Sequence, residues 1–204
     1  VSRLADAVIA LYRSHASSWD AARRAGAWND RGWHEAFAAE LPPGAHVLDL
    51  GCGGGAPVAE FLAGQGLRVT GVDTATQLVA LARARLPDQE WIEADMRGLA
   101  LGRRFDGILA WDSFFHLRHA AQRAMLAVFD AHASDKAVLM FNTGPEHGQA
   151  ISTNTFAGEQ LYHASLAPEE YRGLLTQHGF RVLRHAANDW ENGGGRTVWL
   201  CKRA

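Results

Sequence analysis

Cysteine is scarce in this chain, with only Cys52 and Cys201 among 204 residues. Two isolated cysteines exclude a disulfide framework and point to reduced thiols and a cytoplasmic location. No apolar run approaches the roughly 20 residues a membrane-crossing helix needs. The N-terminus also lacks the pattern of a secretory signal, so no membrane association is expected. Neither sign of charge dominates: 20 Lys and Arg face 22 Asp and Glu, for a formal net charge of -2. That balance gives no broad basic surface for nucleic acid. The histidines do not fall into a zinc-ligand spacing, so no metal is expected. The Gly-x-Ser-x-Gly turn of a serine nucleophile is absent too. Repeats, low-complexity tracts and linkers are missing, so residues 1–204 read as one domain. Its 48% hydrophobic and 21% charged residues are ordinary globular usage, and its length is enough to bury a sizeable core.

What the chain does have is an alternation of strand and helix patterns. Residues 3–40 read as helical, with Leu4, Val8, Leu11 and Tyr12 on one face. Trp19, Trp28, Trp33 and Phe37 follow, more aromatics than a surface helix needs, either capping a core or covering a ligand. Residues 1–43 therefore read as a helical cap, ended by Pro42, Pro43 and Gly44. Strands are expected at 45–50, 68–73, 90–93, 105–111 and 137–142. Helices are expected at 57–64, 75–85 and 119–132. This order implies βαβ units and a parallel sheet. Residues 143–165 read as an irregular, polar and aromatic segment, and a connection that long is often functional. A helix at 168–178, with Pro168 in its first turn, precedes strands at 180–187 and 197–202. Asn192-Gly193-Gly194-Gly195 between those strands marks a hairpin. The expected fold class is a Rossmann-like three-layer α/β/α sandwich. Its sheet is mostly parallel, with a C-terminal antiparallel hairpin and an N-terminal helical cover.

Chemistry concentrates at Val47-Leu48-Asp49-Leu50-Gly51-Cys52-Gly53-Gly54-Gly55. A strand, a glycine turn and a helix start form a surface for a nucleotide-like ligand. Glycine permits the tight turn and close approach, and the helix start adds free N–H groups and a positive dipole end. Asp73, at the end of the next strand, can accept hydrogen bonds from two ribose hydroxyls. Gly51, Gly53, Ala56 and Asp73 equally fit a dinucleotide-binding turn, so two classes of cofactor stay open on these residues alone. Asp49 discriminates between them, because that position is usually apolar in dinucleotide-binding turns and here could reach a cationic group.

Asp49 through Gly55 resembles motif I of the class I S-adenosylmethionine-dependent methyltransferases, and the similarity covers roughly residues 45–142 by motif order. The resemblance implies S-adenosylmethionine as cofactor. Asp49 would help hold its methionine portion, Gly51, Cys52 and Gly53 would line it, and Asp73 with Thr74 would grip the ribose. Asp95 and Met96 match the acid and following N–H that face adenine. Trp111 falls where the family packs a side chain near the cofactor. Asp112-Ser113-Phe114-Phe115 has the acid and aromatic of the turn used by methyltransferases of DNA-base amino groups, but neither proline. With the balanced charge, this favours a small-molecule acceptor over nucleic acid. In-line methyl transfer requires alignment, exclusion of water and sometimes proton removal. His116 and His163 are the catalytic candidates, since histidine changes charge near neutral pH. Tyr12, Trp19, Trp28 and Tyr162 are candidates for a lid or for acceptor contact, and residues 143–167 for a substrate-side insertion.

Three functions are therefore weighed. The first is an S-adenosylmethionine-dependent methyltransferase (EC 2.1.1.-) acting on a small molecule. The second is an NAD(P)-dependent oxidoreductase, which leaves Asp49 and Asp95 unexplained and lacks a Tyr-x-x-x-Lys pair. The third is a non-catalytic S-adenosylmethionine-binding protein.

Overall fold

A computed structural model describes residues 2–156 and 158–204. Three helices come first: α1 (Ser2–Ser14), α2 (Ala16–Ala25) and α3 (Arg31–Ala39). The alternating part runs β1 (His46–Leu50), α4 (Val58–Gly64), β2 (Arg68–Asp73), α5 (Thr76–Arg85), β3 (Glu90–Glu93) and β4 (Phe105–Ala110). A short 3-10 turn, Phe114–His116, leads to α6 (His119–His132), β5 (Ala133–Thr143), β6 (Gly148–Phe156) and β7 (Glu159–Ser165). The chain ends with α7 (Pro168–Gln177), β8 (Phe180–Asp189) and β9 (Arg196–Arg203).

The main sheet has the order β3-β2-β1-β4-β5-β9-β8. β1 to β5 run parallel, while β9 is antiparallel to both neighbours, β5 and β8. The C-terminal hairpin is thus inserted so that β9 is interior and β8 forms the edge. Strand side chains alternate between two apolar layers, as the period of two requires. Leu48, Leu50, Ile108, Leu139, Phe141 and Trp199 face α6 and α7. Val47, Leu109, Val138, Met140 and Val198 face α3, α4 and α5. The result is the expected Rossmann-like three-layer sandwich. Among the described residues, no helix is long and apolar enough to cross a membrane.

One expectation fails. The segment 143–165 is not irregular, because β6 and β7 form a separate two-stranded antiparallel sheet, with Gly148 opposite Ser165 and Ile151 opposite Tyr162. Gly158, at φ 83°, helps turn it. The segment carries too little apolar alternation to announce strands. Its second strand finds an apolar partner in α1, where Val8 packs with Tyr162 and Ala164.

Candidate functional site

The C-terminal ends of β1 and β2 are joined by the glycine turn. The N–H groups of Gly51 and Cys52 both donate to the Val72 carbonyl, at 2.7 and 3.1 Å. Gly51 has φ 82° and Gly53 φ 54°, a region that glycine enters at little cost. A Cβ on Gly51 would stand 2.3 Å from Ser113 Cβ, and one on Gly53 would stand 2.6 Å from the Trp19 ring. Asp73 fastens the turn from the next strand. Its Oδ2 accepts from the Gly53 N–H at 3.0 Å and its Oδ1 from the Ala75 N–H at 2.9 Å. Burial, partly offset by these hydrogen bonds, raises the Asp73 pKa.

Above the turn lies a cavity of about 190 Å³. Gly51 and Gly53 line one part, and Asp73, Thr74, Asp95 and Met96 continue it along the ends of β2 and β3. Tyr12 and Trp19, from α1 and α2, lie against it, with Asp112, Ser113 and His116 beyond β4. This places it outside the carboxyl ends of the parallel strands, where open α/β sheets bind ligands. The cover is tied down at several points. The Arg13 Nε donates to the Thr74 carbonyl at 2.9 Å. Arg85 holds Asp20 through a 2.8 Å ion pair and also donates to the Gly54 carbonyl.

Each polar group of the cavity has its own electrostatic setting. Burial opposes ionisation of Asp95, but the Arg97 guanidinium, with Nε 2.9 and 3.0 Å from the two oxygens, holds its carboxyl below the ordinary range. Asp112 is also opposed by burial, yet Arg196 grips it with two hydrogen bonds of 2.7 Å and Asn142 Nδ2 adds a third of 2.8 Å. These bring it down to about 2. Asp112 has φ 50°, strained for a non-glycine residue, and its N–H is held by the Asn142 Oδ1 at 2.8 Å.

His116 is buried, and burial is the main reason its pKa falls to about 4. Its Nδ1 lies 2.9 Å from the Tyr162 carbonyl oxygen. A carbonyl only accepts, so Nδ1 carries the hydrogen of the neutral ring and Nε2 is a lone pair. The Tyr12 hydroxyl, 3.1 Å away, donates to it. Burial, then Asp112 and Asp73, raise the Tyr12 pKa, which keeps that hydroxyl protonated.

The structure therefore brings Tyr12, Trp19, Gly51, Gly53, Asp73, Thr74, Asp95, Met96 and His116 around one cavity. Six other sequence candidates lie off its wall. Asp49 is buried in β1, where burial and then Asp73 push its carboxyl up to about 7. The Cys52 thiol turns inward to the Gly53 carbonyl, and its pKa is raised by burial. Trp111 shares the layer of Leu109, so its indole points toward α3 and donates to Asp30 at 2.7 Å. Trp28 packs on His34 and Phe61, with ring centres 5.4 and 5.3 Å apart. Tyr162 contributes its carbonyl to His116 while its ring packs in the α1–β7 cluster. The His163 ring meets Phe115 edge-on, with ring centres 4.7 Å apart, and lies tilted against His116 at 5.1 Å. Sequence reasoning missed the Asp112–Arg196 pair and the Arg97 clamp. Arg97 lies two residues from Asp95 and was within reach of a local reading, whereas Arg196 is 84 positions from Asp112 and carries no local signal. Among the described residues, no group of three or more His, Cys, Asp or Glu side chains is placed to hold a metal ion.

Comparison with known proteins gives a consistent picture. A family model described as "Methyltransferase domain" matches residues 47–134. The trans-aconitate 2-methyltransferase of Paracidovorax citrulli is 44% identical over 70 residues, which cover 33% of this chain and 26% of that protein. The dTDP-3-amino-3,6-dideoxy-alpha-D-glucopyranose N,N-dimethyltransferase of Streptomyces fradiae is 34% identical over 101 residues, 48% of this chain and 39% of that protein. The chain thus spans well under half the length of these curated relatives. In fold, it is similar to the SAM-bound amino pentose methyltransferase of Micromonospora echinaspora, with a TM-score of 0.71 at 23% identity, covering 92% of this chain and 97% of the other.

Proposed function

We propose that the chain is a class I S-adenosylmethionine-dependent methyltransferase that transfers a methyl group from S-adenosylmethionine to a small-molecule acceptor. One observation carries the reading: the glycine turn, Asp73 and the Asp95–Met96 pair, 45 residues apart in sequence at their extremes of Gly51 and Met96, line a single cavity at the strand ends in motif order. The cradle fits such a cofactor, since a Cβ on Gly51 or Gly53 would crowd it and its carboxylates are acceptors for hydroxyl and amino groups.

In this reading Asp73 and Thr74 hold the ribose, Asp95 and the Met96 N–H face adenine, and Gly51 and Gly53 take the amino-acid portion. Asp49 and Cys52 support the turn from beneath. When bound, S-adenosylmethionine supplies a methyl group on a positively charged sulfur, which a nucleophile displaces in line. Tyr12 and Trp19 exclude water from that reaction. His116 presents Nε2 toward the acceptor, where it accepts a hydrogen bond from an O–H or N–H in place of the Tyr12 hydroxyl and orients the nucleophile. Asp112 is unsuited to this role, because Arg196 and Asn142 already occupy its carboxylate. His163 supports the His116 ring, and the β6–β7 hairpin, within residues 143–167, forms the acceptor side. Two of the relatives, a trans-aconitate methyltransferase and an amino-sugar N,N-dimethyltransferase, are named for small metabolites, which supports a small metabolite as acceptor. The near-balanced charge supports a partner other than nucleic acid, and the two unpaired cysteines support a cytoplasmic setting.

Isothermal titration with S-adenosylhomocysteine tests the cofactor assignment. Wild type is expected to bind, and Asp73→Ala to lose at least about tenfold in affinity, equal to about 1.4 kcal/mol. A folded wild-type sample that ignores this ligand but is stabilised by NADH would overturn the assignment.

A further inference from the structure

A second polar cluster lies away from the cavity, between α3, α4 and the end of β4. Asp30 is fully buried at the start of α3. Its Oδ2 accepts from the Trp111 Nε1 and lies 3.4 Å from Arg196 and 3.5 Å from Arg23. Its Oδ1 has no protein partner. His34, one turn further on, is also fully buried. Its Nδ1 lies 3.1 Å from the Asp30 carbonyl oxygen and therefore carries the ring hydrogen. Burial is the chief cause of a pKa lowered to about 4, which leaves the ring neutral. Nε2 is then a lone pair, and it too has no protein partner. The third group in the same condition is the buried indole N–H of Trp28. These side chains adjoin: the His34 ring centre is 5.4 Å from that of Trp28 and 4.6 Å from that of Trp111, whose N–H sits on Asp30.

The set holds two acceptors and one donor. Buried polar groups are rarely left unpaired, and a buried water typically makes about three hydrogen bonds. We propose that one structural water molecule binds among Trp28, Asp30 and His34, donating to Asp30 Oδ1 and His34 Nε2 and accepting from Trp28 Nε1. A metal cation is disfavoured, because the Trp28 N–H is a donor and Arg23 and Arg196 already balance the Asp30 charge. An anion is disfavoured by Asp30 itself. The water completes the shell of Asp30, whose other oxygen meets the same Arg196 that holds Asp112 at the cavity wall.

A crystal structure of the full chain, refined finely enough to place waters, tests the site. An ordered water within about 2.7–3.2 Å of all three atoms is expected. Direct bonding of the Trp28 Nε1 to Asp30 or His34, or a space closed by repacking, would overturn it. In solution, the Trp28 indole proton is expected to show a nuclear Overhauser contact to a long-lived water. An indole proton protected from exchange but without that contact would count against the site.

Discussion

Gly51 carries the sharpest steric constraint of the site. Its φ of 82°, and the 2.3 Å approach that a Cβ there would make to Ser113 Cβ, make even alanine costly. Gly51→Ala is expected to lower stability by about 1–3 kcal/mol and to abolish S-adenosylhomocysteine binding, read by thermal melting and titration calorimetry. Asp49 offers a test by pH. Its carboxyl goes from an ordinary 3.8 to about 7 in the fold. A raised carboxyl pKa means that the stability it contributes is whole below about 3.8 and is lost as pH rises through about 7. Asp49→Asn should therefore gain little at pH 4 and stabilise the fold increasingly up to pH 8, by on the order of 1–4 kcal/mol there, read as a growing difference in melting temperature from wild type. A constant effect across that range would show that Asp49 ionises normally. His116 has the opposite displacement, so it stays neutral from about pH 5 upward, and the Nδ1–H tautomer should be visible by nitrogen NMR throughout pH 6–8.

Among the elements, α1 and α2 decide whether the cavity is covered. Trp19 lies on Gly53, and its ring meets Tyr12 edge-on at 5.7 Å. Trp19→Ala should weaken S-adenosylhomocysteine binding about tenfold, through lost apolar cover, while leaving the sheet intact. The Arg85–Asp20 pair is well shielded, with side chains 15% and 8% exposed. Arg85→Met should cost roughly 3 kcal/mol, since it strands the buried Asp20 carboxylate and also removes the donor to Gly54. Urea unfolding would measure it. The glycine turn and Asp73 were legible in the sequence because they lie within about 25 residues of one another in a βαβ unit. The hairpin of β6 and β7 was not, because polar strands declare themselves only through their pairing.

Across the whole molecule, β9 binds the two ends of the chain into one unit. It is interior to the sheet, buries Val198, Trp199, Leu200 and Cys201, and delivers Arg196 to Asp112. A chain ending at Gly179 would lose this strand and expose the flank of β5. It is expected to lack dispersed amide signals and a cooperative melt. A folded product would show that the parallel half is self-sufficient. The sequence by itself determined the layer architecture, the glycine turn and the acids at the strand ends, because periodicity and glycine content act over a few residues of backbone. It also held the orientation of Trp111, since Leu109 and Trp111 must share a face, although a reading by motif position sends that indole toward the cofactor. Only the tertiary structure decided which side chains meet across the cavity. Tyr12 reaches His116 from 104 residues away and Arg196 reaches Asp112 from 84. Such contacts depend on strand order and on where the helices pack, and no local pattern encodes either.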